Sequence, residues 1–584
     1  METLELLKTE AGNPEEGMSL FAVKDYKFMI LNQGMLELSG GVYAFDSETT
    51  GIEYEGRENV LFQFYNPARR EVMLVHPRCL RGADLSNVSV VGHHLGFDFV
   101  SLLMAGCEKL PRVEYDTFLM ANIHQFVGAR GLKEMVLERF GTEMPLFDEK
   151  NPFKVMAQVE DLSVGQLEYA CEDVVQAWRL YELMVRQYPV QEVEKLEFAV
   201  LPEFAKMTFW GLPIDREQLS SLQETLLIEQ EEAKRKLFAI AGKEFNPGSP
   251  KQMQQILFAE RGLVPVVMTP KGAPSTSEDA LSYFEGDEFV DALGEYKEAS
   301  GANSYFQTLL DYRGAVLHPY YKQVGFDGTS RVYTEAPSTN QMPRVIRGCI
   351  HPHTGMKFVY ADWSGAELVT VAYMAGEGKV LDVNKSGDDI HTWLSEQLLD
   401  GIGVPALEKL TPEAKRNVSK TVTFAVLYGS RGASVSLKLK ISQKDAESLI
   451  ERFFLILPKI KALRDEIVAR AAKAGYTETI IGRRRGLMGI GQDEAMKRKA
   501  FNTAIQGSVA DLQKRAILDM AGELEKLGGR VLTTVFDSFL LEVPEDADEA
   551  EVLNIIKDCS QRSIPFCFKA AFGRSWLECM EKAK

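Results

Sequence analysis

Short apolar runs and long amphipathic stretches alternate along this chain, and the change of period divides it into regions. In residues 1–190, Val42-Tyr43-Ala44-Phe45, VLFQFYN (60–66) and VMLVHP (72–77) read as buried strands, and helical periodicity follows near 95–106 and 165–187. That order predicts an α/β unit ending near Tyr188-Pro189. From about 190 to 320 the pattern is mainly helical. LQETLLIEQEEAKRKLFAIAG (222–242) is a long amphipathic segment, and KEFNPGSPKQ and TPKGAPSTSED are rich in turn formers. The remainder alternates strands, KFVYADW (357–363) and VLTTVFDSFLLEV (531–543), with helices predicted over 413–428, 442–473 and 493–526. At 584 residues the chain exceeds what one core organises, so the pattern implies an α/β multidomain protein without internal repeats.

Charge changes this picture. A formal net charge of −18 taken alone argues against a polyanionic partner. By region, however, residues 1–190 hold 17 Lys+Arg against 29 Asp+Glu, which is two-thirds of the deficit. Residues 411–440 carry Lys415, Arg416, Lys420, Arg431, Lys438 and Lys440 against the single acid Glu413. Basic charge is local, and it marks the place where phosphates could bind. Seven cysteines without a C-x-x-C pair fit reduced thiols better than a disulfide framework or a thiolate zinc site. The acidic N-terminus and the lack of an apolar run of about 18 residues predict a soluble, cytoplasmic chain without a membrane. There is no G-x-x-x-x-G-K-[ST] loop, which disfavours a motor.

Two groups of residues carry candidate chemistry. Asp46-Ser47-Glu48 follows an apolar strand, and alternate residues of an extended chain share a side, so both carboxylates can face one point. Asp98 lies in GHHLGFD, and Tyr169 and Asp173 in YACED are four apart, on one helical face. Carboxylates converging there repel unless they bind cations, and hard oxygen ligands suit Mg²⁺ or Mn²⁺. Two such ions can drive phosphodiester hydrolysis. In the second half, Asp362 ends KFVYAD and Asp537 sits in TVFDSF, a hairpin turn or strand end. Between them, RNVSKTVTFAVLYG places Arg416, Lys420, Phe424 and Tyr428 on one helical stripe. Two cations followed by two aromatics suit a nucleotide, with its phosphates on the cations and its base and sugar on the rings.

The order D-x-E, D, Y-x-x-x-D resembles the three motifs of proofreading DnaQ-like (RNase H-like) 3′–5′ exonucleases. Asp46, Glu48, Asp98 and Asp173 match the metal ligands, and Tyr169 matches the residue that orients water. His94 stands where relatives commonly have Asn, so contacts to the DNA end are expected to differ. R-x-x-x-K-x-x-x-F-x-x-x-Y-G resembles motif B of family A DNA polymerases, the group of bacterial DNA polymerase I. DWSGAE resembles motif A, and VFDS stands where motif C has V-H-D-E. FNPGSPKQMQQILF, TPKGAPSTSE, GTSRVYTEAPSTNQMPRVIR, GDDIHTW, GYTETIIGRRR and KRKAFNTAIQGSVADLQKRA extend the likeness from about residue 40 to the C-terminus.

The resemblance implies an RNase H-like exonuclease domain over 1–190, thumb and the start of the palm over 191–330, and palm and fingers of a right-hand polymerase over 331–584. It implies two Mg²⁺ ions (Mn²⁺ possible) per active site, held in the polymerase by Asp362, Asp537 and the Trp363 carbonyl. Arg416, Lys420 and His391 would contact phosphates, Lys420 also as general acid toward pyrophosphate. Phe424 would pack on the sugar and Tyr428 on the templating side, and Glu367 with Tyr428 would exclude a ribose 2′-hydroxyl. Arg331, Asn340, Arg347, Arg498, Asn502 and Gln506 match residues that hold primer-template DNA. Phe536 and Ser538 depart from motif C, and Trp363 and Gly365 from motif A. The expected function is DNA-templated DNA synthesis from dNTPs with 3′–5′ proofreading of a single-stranded 3′ end. The expected setting is a monomer serving a phage genome, with replication accessory proteins as further partners. The alternative is a degradative exonuclease whose polymerase half only binds DNA.

Overall fold

The computed structural model describes residues 18–583 apart from 24–25, 146–152, 154–161, 270, 285, 326–328, 430–431 and 488–492. Its first part is built on seven strands: β1 (Met18–Val23), β2 (Tyr26–Leu31), β3 (Gly41–Thr49), β4 (Asn59–Asn66), β5 (Glu71–Val75), β6 (Val88–Gly92) and β7 (Arg112–Asp116). They lie in the order β1-β2-β5-β4-β3-β6-β7, with β3 antiparallel to β4 and parallel to β6. Both faces are covered, as a mixed sheet with helical crossovers requires. Alternation sorts the side chains: Phe45, Phe62 and Phe64 pack with Leu95, Phe99 and Leu102, while Ala44, Leu61 and Leu74 pack with Leu167, Ala170 and Val174.

The second part holds a four-stranded antiparallel sheet in the order Arg530–Val535, Ser538–Pro544, Met356–Trp363, Phe568–Gly573. The 32-residue helix Glu494–Glu525 packs on Arg530–Val535 and on the helices Glu192–Trp210, Ala366–Ala375 and Pro458–Ala474. The helices Arg216–Ala241 and Glu288–Asp311 pack against each other, and Leu219, Leu226, Phe306 and Leu309 share a core with Phe358, Tyr360 and Leu540 of this sheet. This is a mixed α/β multidomain fold, as the hydrophobic pattern implies.

Local outcomes differ from expectation in two places, and a third expectation, a hairpin turn at Asp537, is met. Asp46-Ser47-Glu48 lies inside β3 rather than after it. The helix predicted over 442–473 is two helices, Gln443–Ile456 and Pro458–Ala474. Pro458 has no N–H to continue the first helix and pushes Leu457 out of the helical region, to φ −122°, ψ 64°. VLTTVFDSFLLEV is a hairpin in which Val535 pairs with Ser538, so Phe536 and Asp537 form the whole turn. Phe536 takes φ 55°, a left-handed conformation that is costly for a bulky residue. All seven cysteines are free thiols. Among the described residues no helix is long and apolar enough to cross a membrane.

Candidate active sites

The even-numbered residues of β3 face the helix Val164–Gln187, so Asp46 and Glu48 meet Asp173 there. One carboxylate oxygen from each lies within 4.8 Å of the others. Burial first holds all three carboxyls well above the usual carboxylate range, followed by the charge of Asp98 on Asp46 and of Asp46 on Glu48 and Asp173. Asp173 Oδ1 is buried without a hydrogen-bond partner among the described residues. Buried, repelling hard oxygens with an orphaned acceptor among them form a donor set suited to a divalent cation. Asp98 stands outside this trio. Ser47 points to the opposite side of the strand and donates a 2.6 Å bond to Asp98. Burial pushes the Asp98 carboxyl up to about 7, against that bond, and its charge also reaches Asp46.

Burial raises the Tyr169 phenol above its ordinary value, followed by the charges of Asp173, Glu48 and Asp46. Lys133, which sequence reading missed, stands over the Tyr169 ring at 4.1 Å and offsets the charge of Asp46 and Asp173. No motif marks it, because it comes from a separate helix, Leu132–Phe140. His94 caps the helix Leu95–Met104 at φ 79°, and its Nε2 lies 2.6 Å from Tyr320 Oη. A side chain from beyond residue 190 thus reaches the edge of this site.

Asp362 and Asp537 are brought together by the second sheet. Asp362 pairs in register with Ser538, the residue after Asp537, and the Trp363 amide donates to the Asp537 carbonyl at 3.1 Å. Burial and then Asp537 push the Asp362 carboxyl up to about 7, and burial also raises Asp537. Both line a cleft of about 1100 Å³ together with Arg331, Glu367, His391, Arg416, Lys420, Phe424, Tyr428, Phe536 and Lys569. The predicted stripe is real: the helix Pro412–Leu427, with Tyr428 as its C-cap, turns these four residues toward the cleft. Phe424 is 43% and Tyr428 36% exposed, so the rings face open space rather than the core.

Two of the stripe residues have hydrogen-bonded partners. Arg416 makes a two-pronged ion pair with Asp389 at 2.9 and 2.6 Å, and Asp389 caps the helix Ile390–Leu399. Tyr428 donates to both Glu367 oxygens at 3.0 and 3.1 Å, and Arg331 adds a 2.8 Å ion pair to the same carboxylate. His391 is buried, and burial followed by Lys420 lowers it to about 4; its Nδ1 has no partner among the described residues.

The six expected DNA contacts divide. Arg331 stays in the cleft, with its guanidinium 5.5 Å from the Phe536 ring centroid. Gln506 is buried and bonds Glu367. Arg498 lies against Gly429, where a Cβ would stand 2.5 Å from its side chain. Asn502 is half-buried on the same helix. Asn340 instead accepts 2.9 and 3.0 Å bonds from Thr334, and Arg347 stacks on Trp576 at 4.5 Å. Asp389 and Lys569 were missed: Asp389 reads as an ordinary helix cap, and Lys569 enters the site only through strand pairing.

A sequence model described as DNA polymerase family A matches residues 216–578. The chain is 34% identical over 420 residues to a thermostable DNA polymerase I of Thermus filiformis, covering 68% of this chain and 49% of that protein. It is 26% identical over 583 residues to DNA polymerase I of Pseudomonas aeruginosa, covering 92% and 63%. The chain thus spans about half the length of the Thermus relative. Its fold matches the POL domain of Pol1 from M. smegmatis, a structure in complex with DNA primer-template and dNTP, with TM-score 0.78 at 21% identity over 93% of this chain and 96% of that one. These relatives are bacterial and lend no support to a phage source.

Proposed function

The chain belongs to DNA polymerase family A, and from that premise we propose that it is a DNA-templated DNA polymerase with a 3′–5′ proofreading exonuclease. The carrying observation is that Asp362, paired with Ser538 next to Asp537, lines one cleft with Asp537, Lys420, Phe424 and Tyr428. Primer-template DNA and dNTPs are its substrates. The first 190 residues take a single-stranded 3′ end, residues 191–330 form the thumb and the start of the palm, and 331–584 form palm and fingers. Asp362, Asp537 and the Trp363 carbonyl would hold two Mg²⁺, and Asp46, Glu48 and Asp173 with Asp98 alongside would hold the exonuclease ions. Such ions, when bound, supply a lowered pKa for the attacking hydroxyl or water and charge for the leaving group.

The chain's own groups do the rest. Lys420 meets the triphosphate and carries a proton to the departing pyrophosphate. Phe424 supports the sugar. Glu367, fixed by Tyr428 and Arg331, occupies the space a 2′-hydroxyl would need. Tyr169 orients water in the exonuclease site. A primed template incubated with dNTPs tests the reading: wild type extends the primer, and the Asp362→Asn/Asp537→Asn double variant does not. Equal extension by that variant refutes it. The Phe536 and Ser538 departures favour one rival, a degradative exonuclease, which nucleotide loss without dNTP-dependent extension would select.

A further inference from the structure

Ser538, Asp362 and Lys569 stand in one row across the second sheet, because Asp362 pairs in register with Ser538 on one neighbour and with Lys569 on the other. Residues directly opposed in antiparallel strands send their side chains to the same face, about 5 Å apart. Lys569 therefore shares the cleft face of Asp362, and it lines the cleft with Asp537, Arg416 and Lys420. Its charge offsets the repulsion that raises Asp362 and also bears on Lys420, so the ammonium lies within electrostatic reach of both. On the fingers side the positive charge is smaller than the motif suggests. Arg416 is already engaged by Asp389, and His391 is neutral at pH 7. The phosphate chain of a nucleotide needs several cationic partners.

We propose that Lys569 is a further nucleotide-positioning residue, its ammonium holding the phosphate chain of the incoming nucleoside triphosphate from the palm side while Lys420 holds it from the fingers helix. The inference rests on the polymerase reading above. Its competitor is a lysine that merely steadies Asp362 and opposes metal binding, and the two differ in what a truncation moves.

The test is equilibrium binding of the complementary dNTP to the full chain on a synthetic primer-template with a dideoxy 3′ end, where no chemistry follows. Mg²⁺ is titrated alongside, and steady-state extension is measured on an ordinary primer. Lys569→Ala is expected to raise the dNTP Kd and KM about tenfold or more, the loss of one charge-assisted contact. Inhibition by pyrophosphate weakens in parallel, while kcat and primer-template affinity stay near wild type. Lys569→Arg restores most of the binding, and Lys569→Glu is worse than alanine. The proposal is overturned if Lys569→Ala binds dNTP as wild type does, or if its only change is a lower Mg²⁺ requirement. A fall in primer-template affinity that arginine does not rescue also overturns it, because that reports a structural role. Wild type that neither binds dNTP nor extends a primer overturns the polymerase reading as well, so the two failures are distinguishable.

Discussion

Glu197 sits where the helix Glu192–Trp210 meets the Glu494–Glu525 helix and the hairpin of Tyr476–Glu478 and Arg484–Gly486, and replacing it with Met should unsettle that junction. Glu197, Arg483, Asp511 and Lys514 are each at most 5% exposed. Glu197 accepts from Arg483, Lys514 and Gln323, the last at 2.6 Å. Asp511 accepts from Arg483 at 2.8 Å and from Thr479 at 2.6 Å. Two cations and two anions make a neutral group. Glu197→Met leaves one positive charge buried and unmatched, and breaking a buried pair in this way costs about 3–5 kcal/mol. Burial holds Lys514 below its ordinary value even with Glu197 beside it, so the pair is incompletely compensated. Glu197→Met/Lys514→Met leaves Arg483 with Asp511, again neutral, and should recover most of the loss. Burial raises the Glu197 carboxyl, but Lys514 and Arg483 outweigh it and hold it below the usual range. With the folded pKa depressed, the stabilisation is full above the unfolded value of about 4.3 and is lost as pH falls through the folded one. Urea unfolding at pH 7, followed at the transition that includes this junction, reads the effect. A single-variant cost below about 1 kcal/mol, or a double variant no more stable than the single, would refute the reasoning.

Four further outcomes are expected. Asp46→Ala should keep primer extension and lose removal of mismatched 3′ nucleotides, because it takes away one member of the Asp46, Glu48, Asp173 trio; retained excision on a mispaired primer contradicts this. Glu367→Ala releases Tyr428 and Arg331 and opens space at the sugar, so the preference for dNTP over rNTP should fall about tenfold or more, read from single-nucleotide kcat/KM ratios. With Phe424, a ring with no hydroxyl, at the proposed sugar contact, dideoxynucleotides should be discriminated against; equal ddNTP and dNTP incorporation on a gel argues otherwise. Tyr320→Phe strips His94 Nε2 of its 2.6 Å partner, and single-strand 3′ excision should weaken while extension changes less than about twofold; an unchanged excision rate sinks that link.

Sequence alone determined the candidate residues, because they are carried by local spacing. The stripe Arg416, Lys420, Phe424, Tyr428 depends only on a period near 3.6, and the pair Asp46 and Glu48 only on a period of 2. The strands and helices around them follow from the same periodicities, broken where Pro458 stops one helix and starts another. Strand pairing and packing decided the rest. Register alone sets Lys569 beside Asp362, residues 207 positions apart in the chain. Packing of separate helices puts Lys133 over Tyr169 and Tyr320 against His94. Tertiary packing also set Arg347 on Trp576, gave Asn340 its bond from Thr334, and tied Arg416 to Asp389. A side chain's type states what it can bind, but only its neighbours in space determine which of those bonds it makes.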